Sequence, residues 1–127
     1  MQLKRILYAD DELDLQQVAT IALEMVGGFT LKICNSGLEA VAAYEAFAPQ
    51  LMLFDVMMPD LGGPEAFEKI KRLSVYQQTP IIFMTAKNKP AEIQQYLNMG
   101  ALAVIAKPFD PMSLASELQT IWENREV

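Results

Sequence analysis

The sequence predicts an α/β protein in which a five-stranded parallel sheet is covered by helices on both faces, as a three-layer sandwich. Short apolar runs alternate with amphipathic stretches along the 127 residues, which is typical of repeated strand–helix units. The runs Leu51–Phe54 and Pro80–Met84 are continuously apolar, as expected for strands buried on both faces. A chain of this length forms one domain and not two.

The first strand is predicted at Leu3–Ala9 and the first helix at Leu13–Val26. The helix ends at Gly27-Gly28, since glycine commonly follows a helix C-terminus, and the second strand is predicted at Phe29–Cys34. Apolar residues recur at helical spacing along the first helix and are expected on its inner face: Leu15, Val18, Ala19, Ala22, Leu23 and Val26.

The second helix is predicted from an N-cap at Ser36 to about Phe47. Glu39 lies three residues after Ser36, which is the spacing of a capping box, and Pro49 ends the helix before the third strand, Leu51–Phe54. The remaining elements are expected in this order: loop 55–63, helix Pro64–Leu73, strand Pro80–Met84, helix Pro90–Met99, strand Leu102–Ala106 and helix Pro111–Trp122.

The composition excludes several classes of function. Ten basic residues against 16 acidic ones give a net charge of -6, so the chain gains nothing from counterion release and is not expected to bind nucleic acid directly. There is no histidine, which excludes imidazole metal sites and Ser-His triads. One cysteine, Cys34, and the lack of a long apolar run predict a cytoplasmic protein without membrane insertion.

Polar residues that can take part in chemistry follow the predicted strands. Asp10 and Asp11 follow the first strand, Asp55 the third, Thr85 the fourth and Lys107 the fifth. In a parallel sheet of order 2-1-3-4-5, ligands bind beyond the carboxyl ends of the strands, where the order reverses between strands one and three. The three carboxylates are therefore expected in one crevice, with the threonine and the lysine beside it.

Such a site suits a divalent cation and a phosphoryl group. Three neighbouring carboxylates repel one another unless a cation joins them, and oxygen ligands alone favour Mg²⁺, with Mn²⁺ as an alternative. A carboxylate beside Mg²⁺ and Lys107 can act as a nucleophile that forms an aspartyl phosphate. Glu12 and Asp14 are interpreted instead as charges that favour the dipole of the first helix.

Five motifs stand in this order along the chain: Tyr8-Ala9-Asp10-Asp11-Glu12, Leu53-Phe54-Asp55-Val56-Met57-Met58-Pro59 with Gly63, Pro80-Ile81-Ile82-Phe83-Met84-Thr85-Ala86, Gly100-Ala101 and Lys107-Pro108-Phe109. From Leu3 to about Trp122 the sequence resembles the receiver domain of two-component response regulators. The resemblance implies a flavodoxin-like (βα)5 fold and a single receiver domain over residues 1–127, of the stand-alone, chemotaxis-receiver type.

The resemblance also implies a role for each acidic position. Asp55 corresponds to the residue that accepts the phosphoryl group. Asp11, with Asp10 helping directly or through water, corresponds to the residues that hold Mg²⁺. Asp55 itself and the backbone carbonyl of Met57, two residues later, are implied as further ligands.

The phosphoryl-binding and switch positions follow in the same way. Thr85, Ala86 and Lys107 are implied to bind the phosphoryl group, and the Thr85 hydroxyl is expected to turn towards it. The Lys107–Pro108 bond is usually cis in the family. Family members commonly carry Tyr or Phe three residues before the lysine, where this chain has Val104. The implied switch of Thr85, Val104 and Pro108 therefore lacks an aromatic ring.

The implied partner supplies a phosphohistidine, because this chain has no histidine. It would be a sensor histidine kinase or a histidine phosphotransfer protein. The receiver would catalyse its own Mg²⁺-dependent phosphorylation and slow dephosphorylation without being a conventional enzyme. A downstream protein is expected on the face of the fourth helix, fifth strand and fifth helix, with the receiver as a monomer or a phosphorylation-dependent dimer. The chain is expected to be a single-domain regulator, with a domain cut from a longer protein as the alternative.

Two alternative functions require residues that this chain lacks, and a third does not. A haloacid-type phosphatase needs a second aspartate two residues after the nucleophile, where this chain has Met57. A flavodoxin needs a phosphate-binding loop where Asp10-Asp11-Glu12 would repel phosphate. A pseudo-receiver that is not phosphorylated and serves as a protein docking module stays as the alternative.

If the chain is a phosphorylated receiver, a bulky Met57 would hinder the water that hydrolyses the phosphoryl group. The competing interpretation is that Met57 simply fills space.

Overall fold

A computed structural model describes residues 2–87 and 89–125. Five parallel strands form one sheet in the order β2-β1-β3-β4-β5, which confirms the predicted fold class and strand order. The strands are β1 Arg5–Ala9, β2 Thr30–Cys34, β3 Leu51–Asp55, β4 Ile81–Thr85 and β5 Ala103–Ala106. The helices are α1 Leu13–Thr20, α2 Gly37–Phe47, α3 Gly63–Lys71, α4 Pro90–Asn98 and α5 Leu114–Glu123. Within the described residues, no helix is both long enough and apolar enough to cross a membrane.

Two hydrophobic cores lie on opposite faces of the sheet, because successive side chains of a strand point to opposite sides. One core joins β-strand residues such as Leu53 and Met84 to α1 and α5. The other joins residues such as Phe54 and Phe83 to α2 and α3. All residues of β3 and β4 are buried, as the continuous apolar runs predict.

The first helix differs from its prediction in its second half. It changes at Ile21–Val26 into a π-helical segment, and the Gly27 N–H donates to the carbonyl of Ala22, five residues earlier. The wider turn keeps Ala22 and Leu23 buried while Val26 is 48% exposed. The prediction that Val26 lies on the inner face is therefore wrong, because the 3.6-residue period on which it rests ends before this residue.

The ends of β3 and β4 bear on the site. Asp55 and Thr85, predicted to follow their strands, are the last residues of β3 and β4. The sheet continues to this point because the Lys107 N–H donates to the Thr85 carbonyl over 2.9 Å. The strand-end residues are thus held by regular sheet hydrogen bonds.

The last helix begins at Leu114 and not at Pro111, since residues 111–113 form a turn.

Candidate functional site

Three carboxylates meet at the carboxyl edge of the sheet. Asp10, Asp11 and Asp55 each offer an oxygen, and these oxygens all lie within 4.8 Å of one another. Asp10 and Asp55 are buried, whereas Asp11 is exposed. The cluster forms because β1 and β3 are neighbours and the carboxyl ends of parallel strands share one edge. The three residues that the sequence predicted together are therefore adjacent, and their oxygens form a donor set that fits a hard divalent cation.

Lys107 reaches this carboxylate cluster from β5. Its Nζ lies 3.0 Å from Asp55 Oδ2, 3.0 Å from Glu12 Oε1 and 3.4 Å from Asp10 Oδ2. Burial works against the charged form of the lysine, but the hydrogen bonds to Glu12 and Asp55 outweigh it and raise the pKa of Lys107. The side chain is therefore a cation among carboxylates. The Lys107–Pro108 bond is cis, as expected from the resemblance.

Asp55 is the carboxylate with the most perturbed environment. It is 3% exposed, and its burial raises its pKa to about 6, although the hydrogen bond from Lys107 lowers it. The negative charge of Asp10 acts in the same direction as burial. The Met57 N–H faces Asp55 Oδ1 at 3.5 Å. Additional positive charge at this point would favour the ionised form of Asp55.

Thr85 and Ala86 border the cluster at the end of β4. Thr85 is buried, and its hydroxyl oxygen accepts a hydrogen bond from the Lys87 N–H over 3.0 Å. This bond holds the hydroxyl within its own loop. Ala86 is exposed beside it. Both residues lie where the sequence predicted them, at the same sheet edge as Lys107.

Val104 lies on β5 in register with Phe83 of β4 and is half-buried. The Phe83 ring meets the Tyr96 ring of α4 in an edge-to-face contact with centroids 5.5 Å apart. Among the described residues of α4, none is fully buried. The aromatic contact between β4 and α4 therefore does not involve position 104, and α4 is held to the sheet less deeply than α2 or α3.

The loop after β3 is fastened at both ends. Asp60 accepts hydrogen bonds from the backbone N–H groups of Gly37 and Leu38 at the start of α2, over 3.3 and 3.1 Å. At Gly63, a Cβ atom would lie 2.5 Å from the Asp55 carbonyl oxygen, so only glycine permits this close approach of α3. These contacts position the backbone that carries Met57 beside the cluster.

Two residues of the site were missed in the sequence. The Tyr8 hydroxyl donates to Asp10 Oδ2 over 3.0 Å, and burial, followed by the charge of Asp10, raises the pKa of Tyr8. The period of two along β1 places both side chains on one face, and this signal could have found the contact. Glu12, interpreted as a helix-dipole charge, also pairs with Lys107, 95 residues away. No local pattern marks that pair.

Comparison with known sequences decides the family. The profile of the response regulator receiver domain matches residues 6–119. The chain belongs to this family, which serves two-component systems. The receiver is 36% identical to the phosphate regulon transcriptional regulatory protein PhoB of Pseudomonas aeruginosa, over 93% of the chain and 51% of that protein. The receiver thus spans about half the length of this curated relative.

Solved structures agree with the assignment. The receiver superposes on the chemotaxis response regulator CheY4 of Vibrio cholerae with a TM-score of 0.85 and 28% identity, covering 94% of this chain and 99% of that one. A CheY-like receiver domain protein from Methanospirillum hungatei gives a TM-score of 0.80 and 31% identity, covering 96% of both chains. The fold and family thus rest on sequence and structure together.

Proposed function

We propose that this receiver accepts a phosphoryl group on Asp55 from a phosphohistidine of a partner protein. The observation that supports this is the placement of the buried Asp55 carboxylate, 3.0 Å from Lys107 Nζ and within 4.8 Å of Asp10 and Asp11 oxygens. The partner is a sensor histidine kinase or a histidine phosphotransfer protein, since the receiver has no histidine of its own.

Atoms and charges balance in this reaction. An Asp55 carboxylate oxygen attacks phosphorus, the phosphorus–nitrogen bond breaks, and the electron pair leaves with the partner's imidazole. Hydrolysis later adds water to phosphorus and returns the Asp55 carboxylate and inorganic phosphate. The Lys107 ammonium pairs with the phosphoryl oxygens, and the Thr85 hydroxyl leaves the Lys87 N–H to bond with them, next to Ala86. These donors stabilise the negative charge of the transferred group.

Asp10, Asp11, Asp55 and the carbonyl of Met57 are the residues that would hold Mg²⁺, or Mn²⁺ in its place. When bound, the cation neutralises charge on the phosphoryl oxygens. The oxygen-only donor set and the burial of two of the three carboxylates support this assignment. The balance of charge also supports a bound cation, because Lys107 is the only basic side chain, among the residues described, that contacts the carboxylates of Asp10, Glu12 and Asp55.

The surface beside Lys107 is a candidate docking point for the partner protein. A groove of about 360 Å³ opens beside this residue and is lined by Glu12, Asp14, Leu15, Ala86, Lys107 and Pro108. For the output, the shallow attachment of α4 favours a change on the face of α4, β5 and α5, read by a downstream protein or by a second receiver in a phosphorylation-dependent dimer. With Val104 in place of a ring, Thr85 and Pro108 would act through the loop before α4. A single cytoplasmic domain over residues 1–127 is part of the same proposal.

Intact-mass spectrometry tests phosphorylation directly. With acetyl phosphate and Mg²⁺, the receiver is expected to gain one phosphoryl group, and EDTA is expected to prevent the gain. Asp55→Asn removes the nucleophile and should gain nothing, whereas Asp110→Asn changes an exposed carboxylate and should gain the group normally. No gain in the parent, together with no Mg²⁺-dependent binding of beryllofluoride, would favour the docking-module alternative.

Met57→Asn is expected to shorten the lifetime of the phosphorylated receiver several-fold. Met57 is 69% exposed and follows Asp55 by two residues, so we expect its apolar side chain to hinder the approach of water to phosphorus. Asparagine is smaller and can bind that water. The lifetime is measured by mass spectrometry after removal of the donor. Met112→Asn, at an equally exposed methionine away from Asp55, is the control, and an unchanged or longer lifetime for Met57→Asn would contradict the water-exclusion role.

A further inference from the structure

A buried tyrosine stands directly behind the carboxylate cluster. Tyr8 has no exposed surface, and its hydroxyl donates to Asp10 Oδ2 over 3.0 Å. The same oxygen faces Lys107 Nζ at 3.4 Å, and the other oxygen, Oδ1, accepts a hydrogen bond from the Glu12 N–H over 3.0 Å. The Asp10 carboxylate is therefore held at both oxygens by donors of this chain.

Asp10 and Asp55 compete for one ammonium group. Lys107 Nζ lies 3.0 Å from Asp55 but 3.4 Å from Asp10, although Asp10 is the more deeply buried carboxylate. A buried carboxylate that lacks other donors attracts a nearby cation strongly, because charges interact more strongly away from water. The Tyr8 hydroxyl supplies a donor to Asp10 and so reduces this pull on the lysine.

We infer that Tyr8 is a positioning residue for phosphoryl acceptance: its hydroxyl satisfies Asp10, so that Lys107 stays nearer to Asp55. The inference rests on the proposed function, since it assigns Tyr8 a role in the same reaction. Tyr8 acts through Asp10 and Lys107 and does not touch the phosphoryl group.

A second buried tyrosine provides a matched control. The Tyr44 hydroxyl lies 2.5 Å from the Thr79 hydroxyl, before the amino end of β4 and thus at the opposite edge of the sheet. Tyr8→Phe and Tyr44→Phe each remove one buried hydroxyl and leave the ring in place. Both variants are expected to fold and to lose similar stability in thermal unfolding, whereas only Tyr8→Phe changes the site.

Carboxyl resonances test the positioning without metal or activity. The ¹³Cγ signals of Asp10 and Asp55 are measured at pH 7 in EDTA. Tyr8→Phe is expected to shift both signals, because Lys107 moves from Asp55 towards Asp10, and Tyr44→Phe is expected to shift neither. In an Asp10→Asn background, Tyr8→Phe should no longer affect Asp55, since the path through Asp10 is removed. An Asp55 signal that does not shift in Tyr8→Phe overturns the inference.

Kinetics give the second readout. At saturating Mg²⁺ and acetyl phosphate, Tyr8→Phe is expected to phosphorylate about fivefold to tenfold more slowly than the parent, the effect of weakening one charged hydrogen bond. Tyr44→Phe should match the parent. A Tyr8→Phe rate equal to the parent rate also overturns the inference. If the parent neither gains a phosphoryl group nor binds beryllofluoride in the presence of Mg²⁺, the proposed function fails, while the carboxyl resonances still decide whether Tyr8 positions Lys107.

Discussion

Lys107→Met is expected to slow phosphorylation of Asp55 by acetyl phosphate on the order of 10²- to 10³-fold at saturating Mg²⁺, the usual effect of removing one preorganised donor to developing negative charge. Methionine keeps the length and apolar stem of lysine but has no ammonium. The loss is large because Lys107 Nζ lies 3.0 Å from Asp55 Oδ2 and its side chain is 8% exposed, so water does not readily replace it. The measurement is the rate of phosphoryl gain by intact mass.

Lys71→Met is the control for this prediction. Lys71 pairs with Glu68 on the surface of α3, away from the carboxylate cluster, so its replacement should leave the rate unchanged. Circular dichroism establishes that both variants are folded. A Lys107→Met rate equal to that of Lys71→Met would show that the ammonium does not assist the transfer, and would remove Lys107 from the proposed mechanism.

Asp55→Asn is expected to stabilise the metal-free receiver at pH 8 by about 2 kcal/mol. The pKa of Asp55 is about 6 in the fold, against an ordinary value of 3.8, so the folded state binds this proton more tightly than the unfolded state does. Ionised Asp55 therefore costs stability above pH 6, and the cost disappears as the pH falls towards 3.8. At about 1.4 kcal/mol per pKa unit the full shift corresponds to about 3 kcal/mol, of which water at the open edge screens a part.

Urea unfolding in EDTA at pH 8 and pH 4 measures this effect. The stabilisation by Asp55→Asn should be present at pH 8 and small at pH 4, where Asp55 is protonated in the fold and partly protonated in the unfolded chain. Asp110→Asn controls for the loss of one negative charge at an exposed position. Mg²⁺ should stabilise the parent at pH 8 more than it stabilises Asp55→Asn. A variant that is less stable than the parent at pH 8 would mean that the pair with Lys107 outweighs the burial of Asp55.

The order and type of the elements were predictable because they depend on local patterns. The continuous apolar runs of β3 and β4 indicated strands that are covered on both sides. The capping pattern predicted the start of α2, where Ser36 accepts a hydrogen bond from the Glu39 N–H. The π-helical segment Ile21–Val26 was not predictable in this way, because its hydrogen bonds shift by one residue while its apolar spacing still resembles that of an α-helix.

The site was also predictable only in part. The positions of Asp10, Asp55 and Lys107 at strand ends placed them at one sheet edge, because parallel strands align their carboxyl ends whatever the side-chain details. The distribution of hydrogen bonds among them was not predictable. Whether Lys107 lies closer to Asp55 or to Asp10 depends on distances of a few tenths of an ångström.

The sequence by itself determined the five strand–helix units, the acidic cluster at the carboxyl edge and the family to which the motifs belong, since each follows from residue type and spacing. The tertiary structure alone decided that Tyr8 donates to Asp10, that Glu12 shares Lys107 and that α4 is only shallowly attached. These features arise from side chains that meet after folding, where burial and the competition of several acceptors for one donor set the geometry.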